Sequence, residues 1–269
     1  MSSDSDFVAT PVWPELIRRV RERTSARIFV DRGPAYTTRM ELELRSAHAN
    51  AVDAVWNEFD LQKDFSADFI AQWDLFQVSS QAGSKAEFLL RPDLGRKLGK
   101  PAREIIEQCC PKGPDLQVVI GDGLSGTALS AQVPTLMPLL LKEASNRGWA
   151  VGRCFAVRYC RVGIMNDVGD LLGPRALVLL IGERPGLATA ESLSAYMAYG
   201  ARGGQTDADR NLISNIHARG VRVEEAAERI ANLVSRMLAL QLSGTAVKEL
   251  AAGLPRLWSL ADNSSPHRS

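Results

Sequence analysis

Three glycines spaced as G-x-G-x-x-G form the segment whose pattern most directly suggests chemistry. They are Gly121, Gly123 and Gly126, and they follow a predicted buried strand over residues 116–120 and open a predicted helix. Such glycines let the backbone approach a ligand closely at the carboxyl end of a strand, where open α/β sheets bind ligands. The pattern therefore predicts a ligand site at this edge of the sheet, with a dinucleotide as one candidate.

The acidic residue that would complete a dinucleotide site is missing. In such sites an Asp or Glu at the end of the second strand binds the ribose hydroxyls. Here the second strand is predicted over residues 154–159 and is followed by Cys160 and Arg161. Arg158 or Arg161 would instead suit a 2′-phosphate, so an NADP-binding Rossmann oxidoreductase stays open as an alternative.

Side chains for catalysis by the chain itself are scarce. The histidines are His48, His217 and His267, and the sequence contains no HExxH motif, no GxSxG elbow and no GxxxxGK[ST] loop. The cysteines form no CxxC pair, and the adjacent Cys109 and Cys110 are expected to be buried apolar side chains. We therefore predict no catalytic residue and no metal ligand, which favours a binding subunit over a self-sufficient enzyme.

The elements that must position these residues change in character near residue 112. Residues 1–112 are predicted to be a mostly helical N-terminal region with one short strand over residues 75–78. Residues 113–250 alternate strand and helix, with buried strands over residues 116–120, 154–159 and 176–181. This alternation predicts an α/β, Rossmann-like fold with a mostly parallel, doubly wound sheet. Residues 251–269 are expected to form a C-terminal tail.

Composition excludes several classes of protein. The chain has 269 residues, with 32 Lys and Arg against 31 Asp and Glu, so an extended nucleic-acid surface is not expected. Apolar runs fall short of the roughly 20 residues that span a membrane, and the acidic, polar N-terminus lacks the features of a secretory signal. A cytoplasmic location is expected. An Arg-rich helix predicted over residues 14–24 would be the contact surface if the chain were a non-catalytic scaffold subunit.

Six segments together resemble the small subunit of ethanolamine ammonia-lyase, an adenosylcobalamin-dependent bacterial enzyme. They are FLLRPDLGR from residue 88, DGLS from 122, RVG from 161, GERPGL from 182, DRNLISNI from 209 and SG at 243. The resemblance runs in order from about residue 26 to residue 248. The GERPGL segment with the downstream ISNI is far more specific than the glycine spacing alone.

The resemblance implies a division of labour between two subunits. A TIM-barrel large subunit would hold ethanolamine and the radical chemistry, and this chain would hold adenosylcobalamin at the interface between them, within a hetero-oligomer of several large–small pairs. It would be inactive alone. Carried over from the family, the cofactor contacts are Val162, Glu183 and Leu212. In relatives the position of Leu212 is commonly Cys, so a backbone contact is expected there. Packaging in a bacterial microcompartment stays open.

The resemblance and the histidine pattern together predict how cobalt would be ligated. Many cobalamin domains use a D-x-H-x-x-G loop whose His replaces the cofactor's own benzimidazole. No histidine of this sequence has Asp two positions before it, so the base-on form is expected. For Glu183 an ion pair with Arg210 or Arg161 is the structural alternative to a role in binding.

Overall fold

The computed structural model describes residues 37–249 and, before them, Glu15, Arg18 and Arg19. Within residues 37–249 the chain forms eight α-helices. They are α1 (Thr38–Trp56), α2 (Leu61–Asp64), α3 (Ala67–Gln72), α4 (Lys85–Leu90), α5 (Lys100–Cys109), α6 (Gly126–Asn146), α7 (Ile164–Leu172) and α8 (Val223–Leu240). Short 3-10 turns lie at Leu94–Arg96, Asp207–Asp209 and Gly244–Ala246.

Six strands form one mixed sheet in the order β1-β3-β2-β4-β5-β6. The strands are β1 (Phe76–Ser79), β2 (Leu116–Gly121), β3 (Phe155–Arg158), β4 (Ala176–Gly182), β5 (Leu193–Tyr199) and β6 (Asn211–Ile216). The pairs β1–β3, β3–β2 and β2–β4 are parallel, whereas β4–β5 and β5–β6 are antiparallel. The α/β class is therefore confirmed.

The expectation of a mostly parallel, doubly wound Rossmann-like sheet is not confirmed, because the sheet is mixed: β5 and β6, which the sequence did not predict, pair antiparallel. Residues 183–192, which join β4 to β5, are too few for the helical crossover that a parallel connection needs. The chain therefore returns as an antiparallel neighbour. Each predicted buried strand is present, and the short strand predicted before residue 113 is β1, which pairs with β3 at one edge of the sheet.

Apolar side chains cover both faces of the sheet, but not equally. On one face α6 and α8 pack over alternate residues of β2, β4, β5 and β6, including Val118, Val178, Ala195 and Ile213. On the other face α5 and α7 pack over β2, β3 and β4. This second cluster contains no residue of β6. Ala198 of β5 belongs to this cluster, whereas Leu212 and Ser214 of β6 are exposed, so the second face remains open over β6, beside the carboxyl ends of the parallel strands.

Local sequence signals set the ends of the helices. Thr37 caps α1 by accepting a hydrogen bond from the Met40 amide, and Ser125 caps α6 by accepting one from Ala128. Proline lacks the amide that a helix interior uses, yet α6 continues through Pro134 and Pro138.

Two predictions concern the ends of the chain. In the Arg-rich segment, Arg18 and Arg19 are helical and both bond to Glu15, and the remainder of that predicted helix lies outside the described residues, as does the predicted tail over residues 251–269. Over the part of the chain that is described, no helix is long and apolar enough to cross a membrane.

Candidate functional site

The three residues carried over from the family line one open cavity. Val162 follows β3, Glu183 follows β4 and Leu212 lies within β6, yet all three border the same concavity of about 360 Å³. The cavity lies at the carboxyl edge of the parallel strands, beside the part of the sheet that α5 and α7 leave uncovered. Residues separated by 50 positions in sequence thus come together where an open α/β sheet is expected to bind a ligand.

Glu183 is held in place by three hydrogen-bond donors. Its carboxylate accepts hydrogen bonds from the hydroxyls of Ser192 and Ser194, each at 2.6 Å, and from the backbone amide of Asn215 at 2.8 Å. The expected alternative, an ion pair with Arg210 or Arg161, is wrong. A carboxylate has about four acceptor positions, so one remains for a ligand in the cavity.

Arg210 forms its ion pair and hydrogen bonds with residues other than Glu183. It contacts the side chains of Asp207 and Asn166, and its own side chain is only 3% exposed. It therefore holds the segment that leads into β6 rather than the carboxylate of Glu183.

Leu212 presents an apolar surface to the cavity. The residue is 46% exposed, which is unusual for leucine, and it lies opposite Tyr196 in the β5–β6 register. Tyr196 also lines the cavity, and burial, with smaller contributions from Asp207 and Glu183, raises the pKa of its phenol. The phenol is therefore neutral near pH 7 and available as a hydrogen-bond donor.

Val162 lies between the sheet and the start of α7. Its side chain packs partly against the apolar cluster on the second face, and its carbonyl accepts a hydrogen bond from the Met165 amide at 3.1 Å. Val162 therefore belongs both to the edge of this apolar cluster and to the lining of the cavity. Val162 and Leu212 together give the cavity apolar walls.

Below the cavity, a buried ion pair fixes the loop that follows β2. The Lys85 ammonium, in α4, lies 3.5 Å from Asp122 and 3.2 Å from the carbonyl of Gly123, and neither charged side chain is more than 2% exposed. Asp122 also accepts a hydrogen bond from the Tyr159 amide. Burial raises the pKa of Asp122 to about 6, and Lys85 opposes that rise. Sequence reasoning did not identify Lys85, since nothing in the spacing relates α4 to this loop.

The glycines of the G-x-G-x-x-G segment allow close packing within the chain. A Cβ at Gly123 would lie 2.5 Å from the carbonyl of Gly182, one at Gly121 would lie 3.0 Å from the Cys160 sulfur, and one at Gly126 would lie 3.1 Å from the Phe59 amide. Each glycine therefore allows a close approach of protein to protein. This arrangement offers an explanation of the spacing that needs no dinucleotide.

The arginines considered for a 2′-phosphate have different surroundings. Arg158 forms an ion pair with Glu58 at 2.6 Å and also contacts Tyr159. Arg161 lines the cavity, and its guanidinium carbon lies 4.3 Å from the centre of the Phe88 ring. Only Arg161 is therefore placed to meet a ligand there.

The described histidines and cysteines do not form a metal or nucleophile site. His217 is buried and bonds to the Asn215 side chain at 2.8 Å, and His48 lies exposed on α1. Burial raises the pKa of Cys160, which therefore stays a neutral thiol. Within residues 37–249 no group of three or more His, Cys, Asp or Glu side chains could hold a metal ion.

Sequence reasoning missed Ser192, Ser194 and Tyr196, all on β5 or next to it. Their placement depends on the antiparallel return of the chain, and the sequence around them has no motif that would mark a site. The register of β5 with β4 is the feature that brings the two serines to Glu183.

Comparison with known proteins agrees with the resemblance. Residues 14–248 match the family described as ethanolamine ammonia-lyase light chain (EutC). Proteins named ethanolamine ammonia-lyase small subunit are similar over most of this chain. The protein from Clostridium perfringens is 39% identical over 243 residues, covering 90% of this chain and 80% of its own length. The one from Rhodopseudomonas palustris is 40% identical over 237 residues, covering 87% and 90%. The one from Fusobacterium nucleatum is 38% identical over 231 residues, covering 86% and 76%. This chain belongs to the ethanolamine ammonia-lyase small subunit family.

Proposed function

We propose that this chain is the small subunit of an adenosylcobalamin-dependent ethanolamine ammonia-lyase, which converts ethanolamine to acetaldehyde and ammonia. Its part is to hold the cofactor in base-on form at the interface with a TIM-barrel large subunit. The observation that carries the proposal is the convergence of Val162, Glu183 and Leu212 on one open cavity. The family match supplies the identity of the reaction.

The lining of the cavity fits the surface of a corrin cofactor. A corrin is a wide macrocycle with an apolar face and a rim of amides, so it requires apolar walls and a few hydrogen-bond acceptors or donors. Val162 and Leu212 supply apolar surface, the remaining acceptor position of Glu183 suits a side-chain amide, and Tyr196 offers a hydroxyl. The serines beside Glu183 hold its carboxylate in one orientation, so little freedom is lost on binding.

A second protein chain is needed to complete the site. The cavity is open, and a cofactor bound there would stay exposed unless another chain covered it. Leu42, Val52 and Trp56 on α1 are each more than half exposed, which supports contact between the N-terminal region and the large subunit. The cofactor supplies the radical chemistry when bound, and residues of this chain bind it, orient it and exclude water.

The surroundings of the described histidines support the base-on form. The imidazole of His217 is hydrogen-bonded to the Asn215 side chain, and His48 lies on α1. Neither residue lines the cavity. A cobalt ligand from His48 or His217 would need a rearrangement of one of these segments.

The wider setting is also proposed from the family. Several large–small pairs would assemble into a hetero-oligomer, in the cytoplasm or inside a bacterial microcompartment. No contact with nucleic acid or membrane is required for this function.

Reconstitution tests the proposal directly. The full chain, its cognate large subunit and the mixture are assayed for acetaldehyde release from ethanolamine with and without adenosylcobalamin. Activity is expected only with both chains and the cofactor. A stable complex that neither binds cobalamin nor deaminates ethanolamine would exclude the proposal. An electron paramagnetic resonance spectrum of the Co(II) state showing a histidine nitrogen on cobalt would exclude the base-on form.

The alternatives differ in measurable ways. An NADP-binding oxidoreductase would bind NADPH saturably as the isolated chain, but its fingerprint glycines face protein atoms and Arg158 is paired with Glu58. A non-catalytic scaffold would join the large subunit without changing its affinity for cobalamin. Cobalamin titration of the large subunit with and without this chain therefore separates the scaffold from the cofactor-binding subunit.

A further inference from the structure

Three arginines without an acidic partner lie near one another, two of them in the lining of the cavity and the third beside it. Arg161 and Arg184 line the cavity. The side-chain carbons of Arg96 lie within 3.1 Å of the position that a Cβ at Gly163 would occupy, so Arg96 lies against the turn that follows Arg161. Among the described side chains, none of these three arginines forms an ion pair or a hydrogen bond, whereas the nearby Arg158 pairs with Glu58.

Arg161 is fixed in place while its guanidinium lacks partners. Its backbone amide donates to the carbonyl of Gly95 at 2.8 Å, and its aliphatic chain fills the space that a side chain at Gly95 would take. The guanidinium stacks over Phe88 at 4.3 Å. Its Nε is buried and has no hydrogen-bond partner among the described residues. Its two terminal nitrogens also have no hydrogen-bond partner among the described residues, and they are the donors available to an acceptor in the cavity.

The charge of the cluster favours an anion. Burial lowers the pKa of Arg161, and the positive charges of Arg96 and Arg184 lower it further. An anion bound between them would remove this repulsion. Guanidinium groups match the geometry of phosphate oxygens and bind them through paired hydrogen bonds.

We propose that Arg161, with Arg184 and Arg96, binds a phosphate group, and that this phosphate is the one in the nucleotide tail of the corrinoid. The assignment to the corrinoid rests on the proposed function. The same chemistry would suit the 2′-phosphate of NADP, and the corrinoid source is favoured because Arg161 lines the cavity that also contains Val162, Glu183 and Leu212. The nucleotide tail would then lie on the side of the cavity nearest α7.

The test compares corrinoids that differ only in the phosphate. The complex of the full chain with its large subunit is titrated with cobinamide, which lacks the nucleotide tail, and with cobinamide phosphate, and dissociation constants are read from visible absorbance. Cobinamide phosphate is expected to bind about 10- to 100-fold more tightly. Arg161→Gln is expected to abolish this preference while leaving the affinity for cobinamide unchanged.

The matched control is Arg175→Gln, which removes the same charge at the opposite edge of the sheet, where Arg175 pairs with Asp115. The preference for cobinamide phosphate should survive in this variant. If Arg161→Gln lowered the affinity for both corrinoids equally, the phosphate role would be overturned, because loss of a purely structural residue would have that effect.

The remaining outcomes separate the two proposals. If the complex binds both corrinoids equally in the wild type, the phosphate assignment fails while the proposed function stands. If neither corrinoid binds, the proposed function fails and the assignment fails with it. Tight binding of NADPH but not NADH by the full chain, lost in Arg161→Gln, would overturn the corrinoid source in favour of a nucleotide.

Discussion

The Lys85 ammonium lies 3.5 Å from the Asp122 carboxylate in an environment from which solvent is almost completely excluded. Lys85 comes from a helix of six residues, and Asp122 directly follows the central strand β2. The contact therefore joins a short peripheral element to the loop that borders the cavity. Because the Lys85 ammonium also donates to the Gly123 carbonyl, the pair determines where that loop lies.

Breaking the ion pair between Lys85 and Asp122 should lower the stability of the chain. Lys85→Met leaves a buried carboxylate without its partner, so the free energy of unfolding is expected to fall by about 3–5 kcal/mol. The double variant Lys85→Met/Asp122→Asn should lose less than the sum of the two single losses, because it leaves no buried charge unpaired. Equilibrium denaturation in urea measures each value.

The control for this cycle is Lys63→Met on the exposed surface of α2, which should change stability by no more than about 0.5 kcal/mol. Strictly additive losses in the double variant would show that Lys85 and Asp122 do not interact in solution.

The stability of the chain should depend on pH through Asp122. Burial raises the pKa of this group from 3.8 to about 6 in the folded chain, so between these values the folded state binds more protons than the unfolded state. The contribution of Asp122 to the free energy of unfolding is then largest at low pH, falls as pH rises through this window, and is constant above it.

The measurement is the difference in unfolding free energy between the wild type and Asp122→Asn from about pH 4.5 to pH 7.5. The value for the wild type minus the value for Asp122→Asn should decrease as pH rises to about 6 and then stay constant. A difference that grows with pH over the same range would mean that Lys85 outweighs burial and that the pKa is lowered.

Gly182 should not tolerate a side chain. It ends β4 next to Glu183, and an added Cβ would overlap the carbonyl of Ser125 at the start of α6. Gly182→Ala is expected to reduce the free energy of unfolding by about 1–3 kcal/mol through overpacking and to displace Glu183.

Gly186→Ala is the matched control on the following loop, since nothing lies within 4 Å of its would-be Cβ. Thermal unfolding and cobalamin affinity are compared for the two variants. Loss of stability in both alike would show that the effect comes from glycine as a residue type and not from the contact with Ser125.

Glu183 should contribute to corrinoid affinity through its charge. Glu183→Gln keeps the shape of the side chain but weakens its hydrogen bonds with Ser192, Ser194 and a corrin amide, because bonds to a charged acceptor are stronger. The dissociation constant for cobalamin is expected to rise about tenfold in the complex. Glu191→Gln, on the same loop and exposed, serves as the control and should bind like the wild type.

An unchanged dissociation constant in Glu183→Gln, with normal stability, would remove Glu183 from the proposed contacts. A loss of stability without a change in affinity would assign it to the structure of the loop alone.

The sequence by itself determined the elements whose signals are local. The buried strands β2, β3 and β4 are continuous apolar runs, so their length and composition predicted them. The family resemblance named Val162, Glu183 and Leu212 because its motifs are short contiguous segments. The glycine spacing likewise marked the edge of the sheet at which the cavity lies, although its glycines serve packing.

Only the tertiary structure decided which side chains come together at the candidate site. The short connection after β4 forces an antiparallel return, but the register of β5 with β4 is set by contacts across the sheet, and that register places Ser192 and Ser194 on Glu183. The contact of Lys85 with Asp122 joins residues 37 positions apart, and the unpaired state of Arg161 depends on which carboxylates lie nearby in space. Charge, burial and hydrogen bonding act over distances in space, and these distances became defined only when the chain was folded.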